Sequence, residues 1–310
     1  MRAVLIRTHG GPDVLEVVDV SQPEPDAGQL LVDVAAIGVN YRDVYERNGG
    51  YGGDLPAIIG IEGAGTVIES GRRVAWVSAP ASYAEQVVVD AERAVPVPDG
   101  VDDEVAAAGL LQGITAQYLS TSTHAVEAGE NVLIHAAAGG VGLLLTQIVA
   151  MRGGRVIATT STGEKAQLAR EAGAAEVIGY EGFAERVKEL TEGVGADVVY
   201  DGVGAATFDE SLAALRPRGD LVLFGAASGR VPPVDPMRLE ADSLFLTRPA
   251  IRHYTASREE LLSRAAEVFG WIADGKLDIR IGGRYPLADA RQAHEDLEAR
   301  RTTGKLILLP

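Results

Sequence analysis

HAAAGGVG, from His135 to Gly142, joins an apolar run, NVLIHA (131–136), to a stretch of helical character that begins at Val141. That context gives a glycine cluster chemical meaning. Read as A-x-G-x-x-G, the motif is Ala137, Gly139 and Gly142. Gly139 lets the backbone approach a pyrophosphate, and Gly142 lets a helix pack closely on a strand. The helix N-terminus would supply N–H donors and the positive end of a dipole to the anion. Ala137 in the first position asks for a less demanding turn, and Gly140 adds freedom beside it. Such a turn also occurs as plain structure, so the next strand has to decide. In NAD-preferring sites a carboxylate about twenty residues on binds the ribose 2′-hydroxyl. Here RVIATTSTGEK offers Thr159, Thr160, Ser161 and Thr162, with no carboxylate before Glu164. Small hydroxyls leave room for a 2′-phosphate, and Lys165 one helical turn later meets its charge. The expected cofactor is NADPH, with NADH a weaker ligand.

The rest of the composition narrows the chemistry. No cysteine is present, which removes disulfides, thiolate nucleophiles and Cys-ligated zinc. The five histidines, His9, His124, His135, His253 and His294, show no metal-binding spacing, and His135 at a strand end reads as a buried structural imidazole. No GxSxG elbow presents itself. Redox chemistry would therefore need a borrowed cofactor. The 44 acidic residues against 28 basic ones give a net charge of -16, a field that repels phosphate backbones and anionic membranes. Neither nucleic acid nor a membrane is an expected partner. The apolar run before Arg7 is too short for a signal peptide, and no stretch reaches membrane-spanning length, so the expected location is cytoplasmic.

The elements that must position these residues follow from texture. Residues 1 to 100 alternate short apolar runs, such as LLVDVAAIGV (30–39) and YAEQVVVD (83–90), with turn clusters, which predicts an irregular, mostly β domain. Beyond Val101, strand candidates recur at 131–136, 155–160, 175–180, 197–201, 220–226 and 243–247, separated by helical segments. Six strands with crossovers predict an α/β unit with a doubly wound parallel sheet. Amphipathic helices are expected at 258–274 and 288–301, and KLILLP at the end reads as a strand returning to the first domain. The expected boundaries are 1–111 with 252–310 for the first domain and 112–251 for the second.

Several segments together resemble the zinc-independent, zeta-crystallin-like quinone oxidoreductases of the medium-chain dehydrogenase/reductase superfamily. They are THGGPDVLEV (8–17), GVNYRDVYERNGGY (38–51), GIEGAGTV (60–67), LLQGITAQYL (110–119), the glycine loop through Ala166, VVYDGVG (198–204), LTRP (246–249) and YPLADARQAHEDLEAR (285–300). The resemblance covers essentially the whole chain. It implies a GroES-like β domain for the first part and a Rossmann-type domain for the second. Zinc alcohol dehydrogenases of the superfamily place a Cys and a His ligand where this chain has Asn40 and Ile61, so no zinc is expected. Without a Lewis acid, hydride delivery to an electron-poor conjugated carbonyl remains feasible, and quinones fit that limit.

The resemblance also implies site residues. Asn40 and Tyr45 fall beside the nicotinamide, Gln112 and Thr115 on the helix approaching it, and Ala138, Gly139, Gly140 and Val141 on the pyrophosphate turn. Thr160, Lys165 and Tyr180 match the pocket for adenosine and its 2′-phosphate, Phe224 and Ser228 a loop at the nicotinamide ribose, and Arg300 a C-terminal segment reaching the 2′-phosphate. Asn40, Tyr45 and Tyr51 are the expected substrate-positioning residues, with Tyr41, Arg42 and Asp43 as further candidates for polarising the substrate oxygen. Gly202 stands where relatives often place a serine, and IESGRR (68–73) is shorter than the usual hairpin. The strand at Ser243 to Arg248 implies a homodimer. Two other readings stay open: an NADPH-dependent enone or enoyl reductase, and a non-catalytic crystallin-like or RNA-binding protein.

Overall fold

A computed structural model describes all 310 residues, which form two compact units, Met1–Gln112 with Ala256–Pro310 and Gly113–Thr255. The first unit opens with β1 (Arg2–Ile6), β2 (Glu16–Asp19), β3 (Gln29–Val39), helix α1 (Tyr41–Arg47) and β4 (Ala57–Ile58). It continues with β5 (Gly63–Val67), β6 (Arg73–Trp76), β7 (Gln86–Asp90), β8 (Val95–Pro96) and the start of α2 (Asp103–Tyr118). The short IESGRR segment still closes a hairpin. Thr66 pairs with Arg73, and the Val67 carbonyl accepts the N–H of Gly71, whose φ of +68° suits glycine.

The second unit carries β9 (Asn131–Ile134), α3 (Gly140–Met151), β10 (Arg155–Thr159), α4 (Gly163–Glu171), β11 (Glu176–Ile178) and α5 (Phe183–Leu190). Then come β12 (Ala196–Asp201), α6 (Phe208–Ala213), β13 (Leu215–Leu223) and β14 (Phe245–Thr247). All six strands are parallel, in the order β11-β10-β9-β12-β13-β14. This is the doubly wound order 3-2-1-4-5-6, and the chain reverses direction across the sheet between β9 and β12. The apolar runs predicted as strands are these strands. The fifth starts earlier than predicted, at Leu215, because a register shift between Ala196 and Val198 lets the polar Arg216 to Gly219 bulge along the pair. Leu133, Ile157, Val199 and Leu221 lie side by side across the sheet and are fully buried, with Phe183 and Phe208 of the helices in the same core.

The chain ends back in the first unit with α7 (Arg258–Ala273), β15 (Ile281–Pro286), α8 (Ala290–Glu298) and β16 (Lys305–Leu309). α8 is shorter than the predicted 288–301: a 3-10 turn over Leu287–Asp289 precedes it, and Arg300 adopts a left-handed φ of +56° after it. β16 lies one strand in from the edge of a seven-stranded sheet, between β15 and β3, with Leu306 opposite Val39. Val32, Val34, Ile37, Trp76, Val87, Val89, Leu306 and Leu308 belong to one buried core in this unit.

Candidate active site

In the second unit the glycine turn leaves β9 at the point where the strand order reverses, the usual place for a nucleotide in such sheets. His135, next after β9, is buried. Its Nε2 lies 2.9 Å from Ser211 Oγ and its Nδ1 2.8 Å from Thr159 Oγ1. The Ser211 hydroxyl donates to Asp201 Oδ2, so Ser211 accepts from His135 Nε2–H, and Nδ1 accepts from Thr159. Burial lowers the imidazole pKa to about 4 against the pull of the Asp201 charge, which keeps this ring neutral. Asp201 also accepts Thr207 Oγ1–H at 2.7 Å and the N–H groups of Val203 and Gly204. One polar network therefore ties together the C-terminal ends of β9, β10 and β12. It consumes the Thr159 hydroxyl, one of the four that the sequence places at and just beyond the end of β10.

The turn itself is braced from β11. Tyr180 Oη accepts the Ala136 N–H at 2.9 Å, and the Tyr180 ring stacks on His135 with centroids 6.0 Å apart. Gly139 N–H then closes on the Ala136 carbonyl at 2.8 Å, and Gly139 caps α3. Helix geometry leaves the N–H groups of Gly140, Val141 and Gly142 without intrahelical acceptors. A Cβ at Gly142 would collide with the Ala136 carbonyl oxygen and sit 2.8 Å from Ala137 Cα, so only glycine keeps the helix this close to the strand. This cradle fits a dinucleotide pyrophosphate. Beyond β10, Thr160 is buried, while Thr162 caps α4 by accepting the Lys165 N–H at 3.3 Å. Thr162 is thereby a helix cap, and Lys165 stands half-buried in the first turn of α4.

The loops after β12 and β13 lock together. The Phe224 ring comes within 2.8 Å of where a Cβ on Gly202 would stand, so a serine there would displace the ring. Ser228 Oγ donates to the Val203 carbonyl at 2.8 Å and accepts the Ala206 N–H at 2.9 Å, which makes it a brace of the loop after β12. Thr115 is buried in α2, and Gln112 is half-buried on the same helix.

In the first unit, β3 ends at Val39 and Asn40 starts α1. The Asn40 side chain is spent inside the protein: Nδ2 donates to Glu62 Oε2 at 2.8 Å, and Oδ1 accepts from Lys305 Nζ at 2.7 Å. Lys305 Nζ also contacts Glu62 Oε2 at 2.5 Å, and Glu62 Oε1 accepts the Leu111 N–H at 2.9 Å. All three side chains are buried. Gly38 is required beside them, because a Cβ there would lie 2.8 Å from Lys305 Cε and collide with the Glu62 carboxylate. A row of aromatic rings runs from α1 to the turn after it: Tyr41 and Tyr45 at 5.6 Å between centroids, Tyr45 and Tyr51 at 6.0 Å, with the Arg42 guanidinium 5.3 Å from the Tyr51 ring. Tyr51 is 60% exposed. Burial raises the Tyr41 phenol pKa, and exposed Arg300, close by, pulls it back down.

The segment that carries zinc ligands in the alcohol dehydrogenases does not fit a zinc ion here. Ile61 offers no lone pair, and the Asn40 and Glu62 oxygens are already turned to an ammonium ion, which would repel a dication. Glu62 is legible in the sequence as part of GIEGAG, but its partner Lys305 lies 243 residues away, and no local pattern announces the pair. Tyr83, His294 and Arg47 likewise meet from three distant segments: Tyr83 Oη is 3.1 Å from His294 Nε2, and Arg47 Nη1 is 3.0 Å from His294 Nδ1.

Comparison with known proteins agrees with this architecture. Residues 26–99 match the alcohol dehydrogenase GroES-like domain, and residues 140–271 the zinc-binding dehydrogenase domain. A quinone oxidoreductase of Pseudomonas aeruginosa is 44% identical over 100% of this chain and 99% of its own. A 2-haloacrylate reductase of Burkholderia is 40% identical, over 99% and 98% of the two chains. A mycobacterial protein solved in complex with NADPH superposes with a TM-score of 0.98 at 52% identity, covering both chains completely. From its two domains and its full-length likeness to these enzymes, the chain belongs to the quinone oxidoreductases of the medium-chain dehydrogenase/reductase superfamily.

Proposed function

We propose that this chain reduces quinones with NADPH, by hydride transfer and without a metal. The observation that carries the reading is the nucleotide cradle at the sheet's reversal point, followed by a β10 end with no carboxylate before Glu164 and by Lys165 in the first turn of α4. The NADPH complex of the mycobacterial relative and the name of the Pseudomonas relative support it. Ala138, Gly139, Gly140 and Val141 would hold the pyrophosphate on backbone N–H groups, and Thr160 and Lys165 the 2′-phosphate. Tyr180 acts by holding Ala136 in place. Gln112, Thr115, Phe224 and Ser228 would shape the nicotinamide end, the last through Val203.

Bound NADPH supplies the hydride. The chain's own task is to orient the acceptor and to meet the charge that develops on its oxygen. Tyr45 and Tyr51 offer ring faces on which a flat acceptor stacks, and Asn40 acts as a positioning residue that fixes the start of α1 through Lys305 and Glu62. The decisive test is oxidation of NADPH, and separately NADH, with 1,4-benzoquinone and 9,10-phenanthrenequinone as acceptors. Enzyme-dependent turnover favouring NADPH is expected. Tight NADPH binding without quinone turnover would overturn the acceptor and leave the nucleotide site standing.

The 2-haloacrylate reductase relative favours a second reading, reduction of an activated C=C bond. A panel of quinones, 2-enones and enoyl thioesters separates the two. We also propose a homodimer built on β14, an edge strand whose Phe245 is 60% exposed. A dilute sample that scattered light as a monomer would refute it. No helix is long and apolar enough to cross a membrane, and we place the reaction in the cytoplasm, where NADPH is regenerated.

A further inference from the structure

Asp43, at the third position of α1, is fully buried. Its Oδ2 accepts the Asn40 N–H at 2.9 Å and the Tyr83 hydroxyl at 3.1 Å. Tyr83 in turn accepts from His294 Nε2, because Arg47, which only donates, holds His294 Nδ1 as an acceptor. Donor direction therefore runs one way, from Arg47 through His294 and Tyr83 to Asp43. The other charged groups around Asp43 are already matched: Arg47 with Glu298 at 2.7 Å and Lys305 with Glu62. Asp43 Oδ1 alone has no hydrogen-bond partner.

The cation facing that oxygen is Arg42, with Nη1 at 3.8 Å. Arg42 is held instead by Glu46, 2.6 Å away, and over the ring of Tyr51. A negative Oδ1 competes with both for the guanidinium, and a neutral one does not. Burial is the main force pushing the Asp43 carboxyl up to about 7, against the opposing pull of Arg42, so the competition switches on near neutral pH.

We propose that Arg42 is the cation that meets the developing anionic oxygen of the acceptor, and that Asp43 is the positioning residue that holds or releases it. This rests on the quinone reading. Hydride transfer oxidises NADPH to NADP+ and reduces the quinone to its hydroquinone monoanion, whose remaining proton comes from water. Below neutral pH, Arg42 stays paired with Glu46 over Tyr51, within reach of an acceptor stacked beside that ring. Above it, ionised Asp43 draws the guanidinium inward.

The test is the pH profile of kcat/KM for the quinone at saturating NADPH. A fall of about tenfold through a midpoint near pH 7 is expected, the size of one lost charge-assisted contact. Arg42→Gln, a change on the surface of α1, is expected to lose about tenfold on the acid side and to flatten the profile. Asp43→Asn is expected to keep the acid-side value through alkaline pH, and Glu46→Gln to deepen the fall. The same inflection in Arg42→Gln, or a flat wild-type profile, would overturn the proposal even if Asp43→Asn failed to fold. A readout without turnover separates this from failure of the quinone reading: indole fluorescence of Tyr51→Trp, titrated without substrate, is expected to change with the same midpoint and to lose that change when Asp43→Asn or Arg42→Gln is added. A titration unaltered by both would refute the switch whatever the acceptor is.

Discussion

Lowering the pH from 6.5 to 4 is expected to loosen the second unit before the first. His135 is buried and neutral, its pKa lowered from 6.5 to about 4. An acid-depressed histidine contributes stability above its unfolded pKa, and loses it as pH falls toward the folded value. The loss is about 1.4 kcal/mol per pH unit, or about 3 kcal/mol by pH 4. In the first unit, His294 is lowered by burial and by Arg47 to about 3, and costs a similar amount over the same range. Asp43 works the other way. With its pKa raised from 3.8 to about 7, it contributes stability that is fully present below pH 3.8 and lost as pH rises through 7. Over the same range acidification therefore returns about 3 kcal/mol to the first unit, which offsets the His294 loss. Glu85 and Asp296 are held low by hydrogen bonds from Arg2 and Arg301, but near the surface, where solvent screening leaves them little effect.

Against a total stability of about 5–15 kcal/mol, an uncompensated loss of about 3 in the second unit is large. Hydrogen exchange read peptide by peptide by mass spectrometry resolves the two units. Protection in β9, β10 and β12 is expected to fall as pH drops below 6.5, after correction for intrinsic exchange, while β3, β5 and β16 hold theirs. His135→Gln, which keeps a donor and an acceptor but does not titrate, is expected to flatten the slope of the second unit. Earlier opening of the first unit, or an unchanged slope in His135→Gln, would refute the reasoning.

Lys305→Met strands the buried Glu62 carboxylate with only amide donors and is expected to cost about 3–5 kcal/mol in urea unfolding, most of it recovered on adding Glu62→Gln. Tryptophan fluorescence reads this cleanly, since Trp76 and Trp271 both belong to the first unit. Gly142→Ala drives a methyl group into the Ala136 carbonyl and is expected to weaken NADPH binding by at least about tenfold in calorimetry, the cost of one or two misaligned pyrophosphate contacts. Lys165→Ala is expected to raise the KM for NADPH by about tenfold or more while leaving NADH little changed, since only NADPH carries the 2′-phosphate. Equal effects on both cofactors would refute the phosphate assignment.

The second unit was largely legible because its signals are local. Each parallel strand is a short apolar run, and the glycine turn sits between one such run and a helix, so position in sequence nearly equals position in the fold. The first unit yields less, because its chemistry is assembled over long separations. Asn40 stands out as a replacement for a metal ligand, but what it holds cannot be read without β16, and His294 looks like any residue of an amphipathic helix. Ser228 and Thr159 illustrate another limit. A hydroxyl near a nucleotide loop is equally suited to bracing the loop, and only the Val203 carbonyl and the His135 ring show where each one is engaged.

The place of β16 between β15 and β3 has a consequence for how the chain is made. Val39 pairs with Leu306, and Glu62 with Lys305, so a ribosome delivers one half of each pairing long before the other. At about 5–20 residues per second, the gap is roughly ten to fifty seconds. During that time β3 has an open edge, and the Glu62 carboxylate lacks its cation. The second unit, contiguous in sequence, meets no such wait and can close while the first is still incomplete. Synthesis thus leaves a long-lived sheet with β3 open at its edge as the species most in need of a chaperone.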